Sequence, residues 1–90
     1  MRKLKKYRVL HIAKDGLLIA RGKEPAPIAA PVFREEVKMK YLRIGNVADV
    51  FGPVEKPYIA IRLDSKTSVD KLPKFVYVDF AWKPRKFSRK

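Results

Sequence analysis

Apolar and polar residues alternate with a period of two along most of this chain, the pattern of half-buried strands rather than of helices. Tyr7, Val9 and His11 alternate with Arg8, Leu10 and Ile12, a turn Lys14-Asp15-Gly16 follows, and LLIARG from Leu17 returns as a second arm. An Asp-Gly pair between such runs predicts a hairpin, because glycine supplies the backbone angles a tight turn needs. The connection from Glu24 to Pro31 carries Pro25, Pro27 and Pro31, which exclude a helix or a central strand. A short strand, Val32-Phe33-Arg34, fits after it. The stretch REEVKMKYL, Arg34 to Leu42, holds helix formers at poor apolar spacing and predicts a turn or a short irregular connection. Strands then run from Arg43 to Phe51, from Tyr58 to Leu63 and, beyond the polar loop DSKTSVDKLP, from Lys74 to Ala81. Many short strands with turns throughout predict an all-β fold closed into a small antiparallel barrel, which leaves no exposed sheet edge.

The alternation also sorts faces. Ile59, Ile61 and Leu63 share one side of their strand, and Val76, Val78 and Phe80 share one side of theirs, so these six are assigned to the core. Tyr58, Ala60, Arg62, Tyr77 and Asp79 then face outward, Tyr77 with its hydroxyl in water. Between two strands lies the segment RIGNVADVFGPVEKPY, Arg43 to Tyr58. Gly52 tolerates angles a side chain forbids, while Pro53 and Pro57 lack a donor and restrict the residues before them, so this loop is stiff. A stiff loop presents apolar groups to a partner at small entropic cost. Phe51, Gly52, Pro53, Val54, Pro57 and Tyr58, with Ile44 and Val47, are therefore expected to lie at a partner interface or directly support it.

Ninety residues make one domain, a barrel over about 5–82 with a basic tail at 83–90. Such a chain buries only roughly 60 to 65% of its unfolded surface. The formal net charge is +13, and ten of these charges come from Arg2, Lys3, Lys5, Lys6 and Arg8 together with Lys83, Arg85, Lys86, Arg89 and Lys90. The body between is close to balanced. Lys3, Lys5, Lys6, Arg8, Lys83, Arg85, Lys86 and Arg89 are candidate RNA contacts through counterion release, with solvated tails of nonspecific attraction as the equal alternative.

Little points to catalysis. His11 is the single histidine and there is no cysteine, so neither a thiol dyad nor the usual zinc cluster can form. Ser65, Ser68 and Ser88 lack a G-x-S-x-G elbow and a second histidine as base. Glu35 and Glu36 are adjacent in a predicted loop, and Asp49 and Asp79 read as ion-pair partners of surface Lys or Arg. No phosphate-cradling glycine loop occurs. We therefore assign no catalytic residue, no metal and no cofactor. No apolar run reaches bilayer length, and the basic N-terminus lacks an apolar h-region, which predicts a cytoplasmic protein with no membrane role.

The segment Ile44 to Leu63, IGNVADVFGPVEKPYIAIRL, resembles the core of the GAR-type subunit of H/ACA ribonucleoproteins, the particles that make pseudouridine in RNA. The likeness rests on Ile44-Gly45, Val47, Asp49 to Val54, Pro57-Tyr58 and the following strand. Weaker similarity extends over the preceding hairpin and over Phe75 to Phe80. With four glycines and no RGG repeat, the chain is similar to the compact archaeal form. The resemblance implies a six-stranded barrel like the second domain of translation elongation factors. It also implies docking on the catalytic subunit, a TruB/dyskerin-type pseudouridine synthase, with the other particle proteins and the guide RNA met indirectly. The role so implied is non-catalytic: easing substrate loading and product release in rRNA pseudouridylation and ribosome biogenesis through the enzyme's thumb loop. The alternatives are a direct RNA-binding barrel of ribosomal or cold-shock type and a barrel detached from a translation factor. The first of these is weakened by the absence of basic residues interleaved with exposed aromatics on one sheet face.

Overall fold

The computed structural model describes residues 3–64 and 73–82. Six strands close into one antiparallel barrel: β1 Leu4–Ile12, β2 Leu18–Arg21, β3 Pro31–Val37, β4 Lys40–Phe51, β5 Tyr58–Leu63 and β6 Phe75–Asp79. Around the barrel the order is β1-β2-β5-β4-β3-β6, and β6 pairs back onto β1. No described helix is long and apolar enough to cross a membrane.

The Asp-Gly hairpin forms as its residues dictate. Gly16 sits at φ 87°, its N–H donates to the Ala13 carbonyl at 2.9 Å, and Ala13 N–H donates to the Leu17 carbonyl at 2.8 Å. The Asp15 carboxylate accepts from Leu17 N–H at 3.2 Å, an Asx contact that fixes the turn. Pro31 opens β3, a strand position where its missing donor is tolerated.

REEVKMKYL is not irregular. It is the far end of the β3–β4 hairpin, where Arg34 pairs with Leu42, Glu35 with Tyr41 and Val37 with Lys40. On β3 only Val32 and Phe33 pair with β6, so this ribbon runs on past the barrel. Both of its faces meet water there, which is why its apolar spacing carries no period. Met39 turns the tip at φ 68°, a strained angle for a side chain, and its N–H donates to a Glu35 carboxylate oxygen at 3.1 Å. The strand predicted at Val32-Phe33-Arg34 is correspondingly longer. Tyr77 does not simply lie on the barrel: its half-buried ring meets Tyr41 edge-on at 5.3 Å and braces the ribbon.

The core holds Tyr7, Leu18, Val32, Ile44, Val47, Ile59, Ile61, Val76 and Val78, all essentially inaccessible. Four of the six predicted core residues are fully buried, and Leu63 and Phe80 pack against the cluster from its rim. Ala60 is buried too, against the expectation from alternation. It lies between Ile19 and Asp49 in the ladder, and a lone methyl is covered by longer neighbours. Bulges account for the other phase changes. One at Leu10 leaves that residue exposed and turns His11 outward and Ile12 inward, and one at Ala48 shifts β4 between Val47 and Asp49. Such extra residues bend strands into a closed barrel.

Among the described residues, Tyr7 brings a phenol hydroxyl deep into this core. Its ring stacks on Phe80 with centroids 6.3 Å apart, and its hydroxyl donates to the Glu24 carbonyl. Burial, with the Glu24 charge as a second cause, pushes its pKa from 10.0 up to about 12. The folded protein thus holds this proton more tightly than the unfolded chain does. Stability from this source is intact below about pH 10 and declines as pH rises toward about 12, by on the order of 2 kcal/mol. Tyr7→Phe lacks the hydrogen bond but also this alkaline loss. In urea unfolding the gap between the two proteins should therefore narrow at high pH, and a constant gap would show that the phenol is not protected.

Candidate partner-docking site

The loop between β4 and β5 is built on a stacked aromatic pair. Phe51 ends β4, Tyr58 opens β5, and the two are direct ladder partners with ring centroids 5.5 Å apart and planes at 21°. Gly52 turns the chain at φ 90° directly beneath Tyr58. A Cβ there would stand 2.6 Å from Tyr58 Cδ2, so only glycine permits this approach. Lys56 N–H donates to the Pro53 carbonyl at 3.2 Å, and Gly22 N–H to the Pro57 carbonyl at 3.2 Å, which ties the loop base to the end of β2. Pro57 is buried.

The expected interface residues therefore divide by depth. Val54 is 81% exposed and Phe51 43%, with Gly52 and Pro53 beside them, so this corner offers apolar surface. Tyr58 is half-buried, and the Arg21 guanidinium lies 5.3 Å from its ring centroid. Ile44 and Val47, at 2% and 1% exposure, cannot touch a partner; with Pro57 they support the corner from within.

The N-terminal basic cluster is not a tail. Lys5, Lys6 and Arg8 belong to β1, and Lys3 precedes it with its carbonyl accepting from Phe80 N–H at 2.8 Å. Lys5 is occupied, with its Nζ 2.6 Å from a Glu24 carboxylate oxygen and 5.0 Å from the Phe80 ring centroid. Lys83, Arg85, Lys86 and Arg89 lie outside the described residues. Asp49 and Asp79 do not form ion pairs among the described residues; they accept from the backbone N–H groups of Val50 at 2.8 Å and Ala81 at 3.0 Å. His11 is an exposed strand residue, and among the described residues no group of three His, Asp or Glu could hold a metal.

No motif singles out the surface next to the corner. Phe51 pairs with Tyr58, Tyr58 with Arg21, Arg21 with Arg8, and Arg8 with Phe75, one unbroken row across β4, β5, β2, β1 and β6. Direct ladder partners project from the same face, so these five side chains line up on the outside of the barrel. Beside the row lies a cleft of about 640 Å³, whose lining includes Lys6, Arg8, Arg21, Lys23, Lys56 and Phe75 together with the Lys5–Glu24 ion pair. Counting back from the Asp-Gly turn would set Val9 opposite Arg21; the bulge at Leu10 brings Arg8 there instead, and the rest of the row depends on which distant strands meet.

No family model matches this chain. It is 46% identical over 56 residues to an uncharacterized protein of Methanocaldococcus jannaschii, covering 62% of this chain and 63% of that one. It is 41% identical over 54 residues to an uncharacterized protein of Methanothermobacter thermautotrophicus, covering 60% and 54%. The chain thus spans less than two thirds of the length of the curated relatives it matches, and both are archaeal.

Proposed function

We propose that this barrel is a non-catalytic subunit of an H/ACA-type RNA-guided pseudouridine synthase particle and docks on the catalytic subunit through the Phe51–Tyr58 corner. One observation carries the reading. The DVFGPV and PY residues that bear the resemblance are those that form the stiff loop, with Val54 and Phe51 exposed at its surface and Tyr58 seated on Gly52. An apolar group held rigidly in water on a small domain is disposed to be covered by a protein partner, because little ordering entropy opposes docking. The archaeal origin of the relatives supports the compact form of this subunit.

Its effect would be conformational. A rigid barrel that binds one position of the synthase's thumb loop better than another shifts the loop's population by the difference in affinity, and so acts on loading and release rather than on bond making. The test is kinetic. A pseudouridine synthase should co-purify with this chain after nuclease treatment, and adding the chain should raise the multiple-turnover rate more than the single-turnover rate. Equal rises in both would replace loop gating with assembly of the active site. No association in the absence of RNA would remove the docking role.

A further inference from the structure

We infer that the cleft beside the transverse row is a binding site for single-stranded RNA, with Arg8, Lys6 and Lys23 on phosphates and Phe75 stacked on a base. The inference is independent of docking at the neighbouring corner. Three observations carry it.

The first is positive charge without acidic partners. Six cations line the cleft, and of these Lys6, Arg8, Arg21, Lys23 and Lys56 make no ion pair among the described residues. The acid at the cleft, Glu24, is already taken by Lys5. The second is a repulsion built into the ladder. Arg8 and Arg21 face each other directly across β1 and β2, a like-charge pairing that destabilises a sheet. A phosphate between the two guanidiniums converts that repulsion into bidentate attraction. The third is the aromatic component. Phe75, Arg8's partner on the other side, is 39% exposed, and Lys6 Nζ lies 4.5 Å from its ring centroid.

A basic groove flanked by an exposed ring is how proteins hold single strands, with cations tracking the backbone and aromatic faces stacking on bases. Acidic side chains would satisfy the cations but offer no aromatic base to stack on Phe75. Arg21 lines the cleft and also lies over the Tyr58 ring of the corner, so a strand bound here would run close to a docked protein.

The experiment measures anisotropy of a labelled single-stranded oligoribonucleotide of mixed sequence with the full chain over a range of salt concentrations. The exposed triple Lys6→Gln, Arg8→Gln, Lys23→Gln should lose about 2 units of log–log salt slope, at roughly 0.7 per phosphate contact on a single strand. A second triple, Lys40→Gln, Arg43→Gln, Arg62→Gln, removes equal charge from exposed positions that do not line the cleft and should retain most of the slope. Equal losses in the two triples would reduce the site to overall charge and overturn the inference. Phe75→Ala should weaken RNA binding about tenfold with the slope unchanged. Polyglutamate at matched charge should compete poorly, and its binding should be indifferent to Phe75→Ala. Effective competition by polyglutamate would reassign the cleft to acidic polypeptide, and no effect of Phe75→Ala on RNA would remove the stacking contact.

Discussion

Gly45→Ala should destabilise the barrel by about 3 kcal/mol or more, the upper range for forcing an atom into a filled space. Gly45 lies in β4 between Val32 of β3 and Leu63 of β5. A Cβ at this position would overlap the Arg62 carbonyl oxygen and stand 3.0 Å from Leu63 Cα. These are backbone atoms inside a closed ladder. They cannot swing aside as the tip of a side chain could, and moving them would break the β4–β5 pairing and the bond from Asp64 N–H to the Ile44 carbonyl at 2.8 Å. Gly16→Ala provides the comparison. At Gly16 a Cβ would meet nothing within 4 Å, so only the positive φ opposes it, a cost of about 1 to 2 kcal/mol. Urea midpoints for the two variants should differ clearly. If Gly45→Ala lost no more than Gly16→Ala, the close approach of β4 to β5 would be wrong.

Tyr58→Ala and Val54→Asp should each weaken binding to a pseudouridine synthase by about 30-fold, equivalent to about 2 kcal/mol at an interface hot spot. The two act differently. Val54 is 81% exposed, so an aspartate there leaves the fold untouched and places a charge where the partner must exclude water. Tyr58 carries the stack with Phe51 and the contact from Arg21, so its loss removes the seat of the corner. Because Phe51 is 43% exposed, Phe51→Ala also leaves the core intact, and its effect reports on docking rather than on folding. Calorimetric titration against the purified synthase, with circular dichroism as the fold control, reads these effects. Unchanged affinity in both Tyr58→Ala and Val54→Asp would exclude the corner as the docking site.

The elements visible in the sequence are those whose causes are local. The Asp15-Gly16 turn, the proline-bounded loop from Gly52 to Pro57 and the inward faces of β5 and β6 follow from backbone preferences and from period two within a single strand. The stiff corner was legible for the same reason, since Gly52, Pro53 and Pro57 act on their own neighbours. Where contacts between strands decide the outcome, the pattern misleads. The bulge at Leu10 exchanged His11 and Ile12 between faces, Ala60 was covered by its ladder neighbours, and the β3–β4 ribbon ran past the barrel where no face is buried. Ile44 and Val47, expected at the interface or directly supporting it, lie in the core at 2% and 1% exposure, where only the supporting role is open to them.

The sequence by itself determined an all-β barrel, its first hairpin and a rigid apolar loop, because each rests on interactions among residues close in the chain. Only the tertiary structure decided that Phe75, Arg8, Arg21, Tyr58 and Phe51 stand in one row. That row requires β6 to close onto β1 and β2 to pair with β5, joining residues up to 67 positions apart whose register is set by barrel closure and bulges rather than by any local preference.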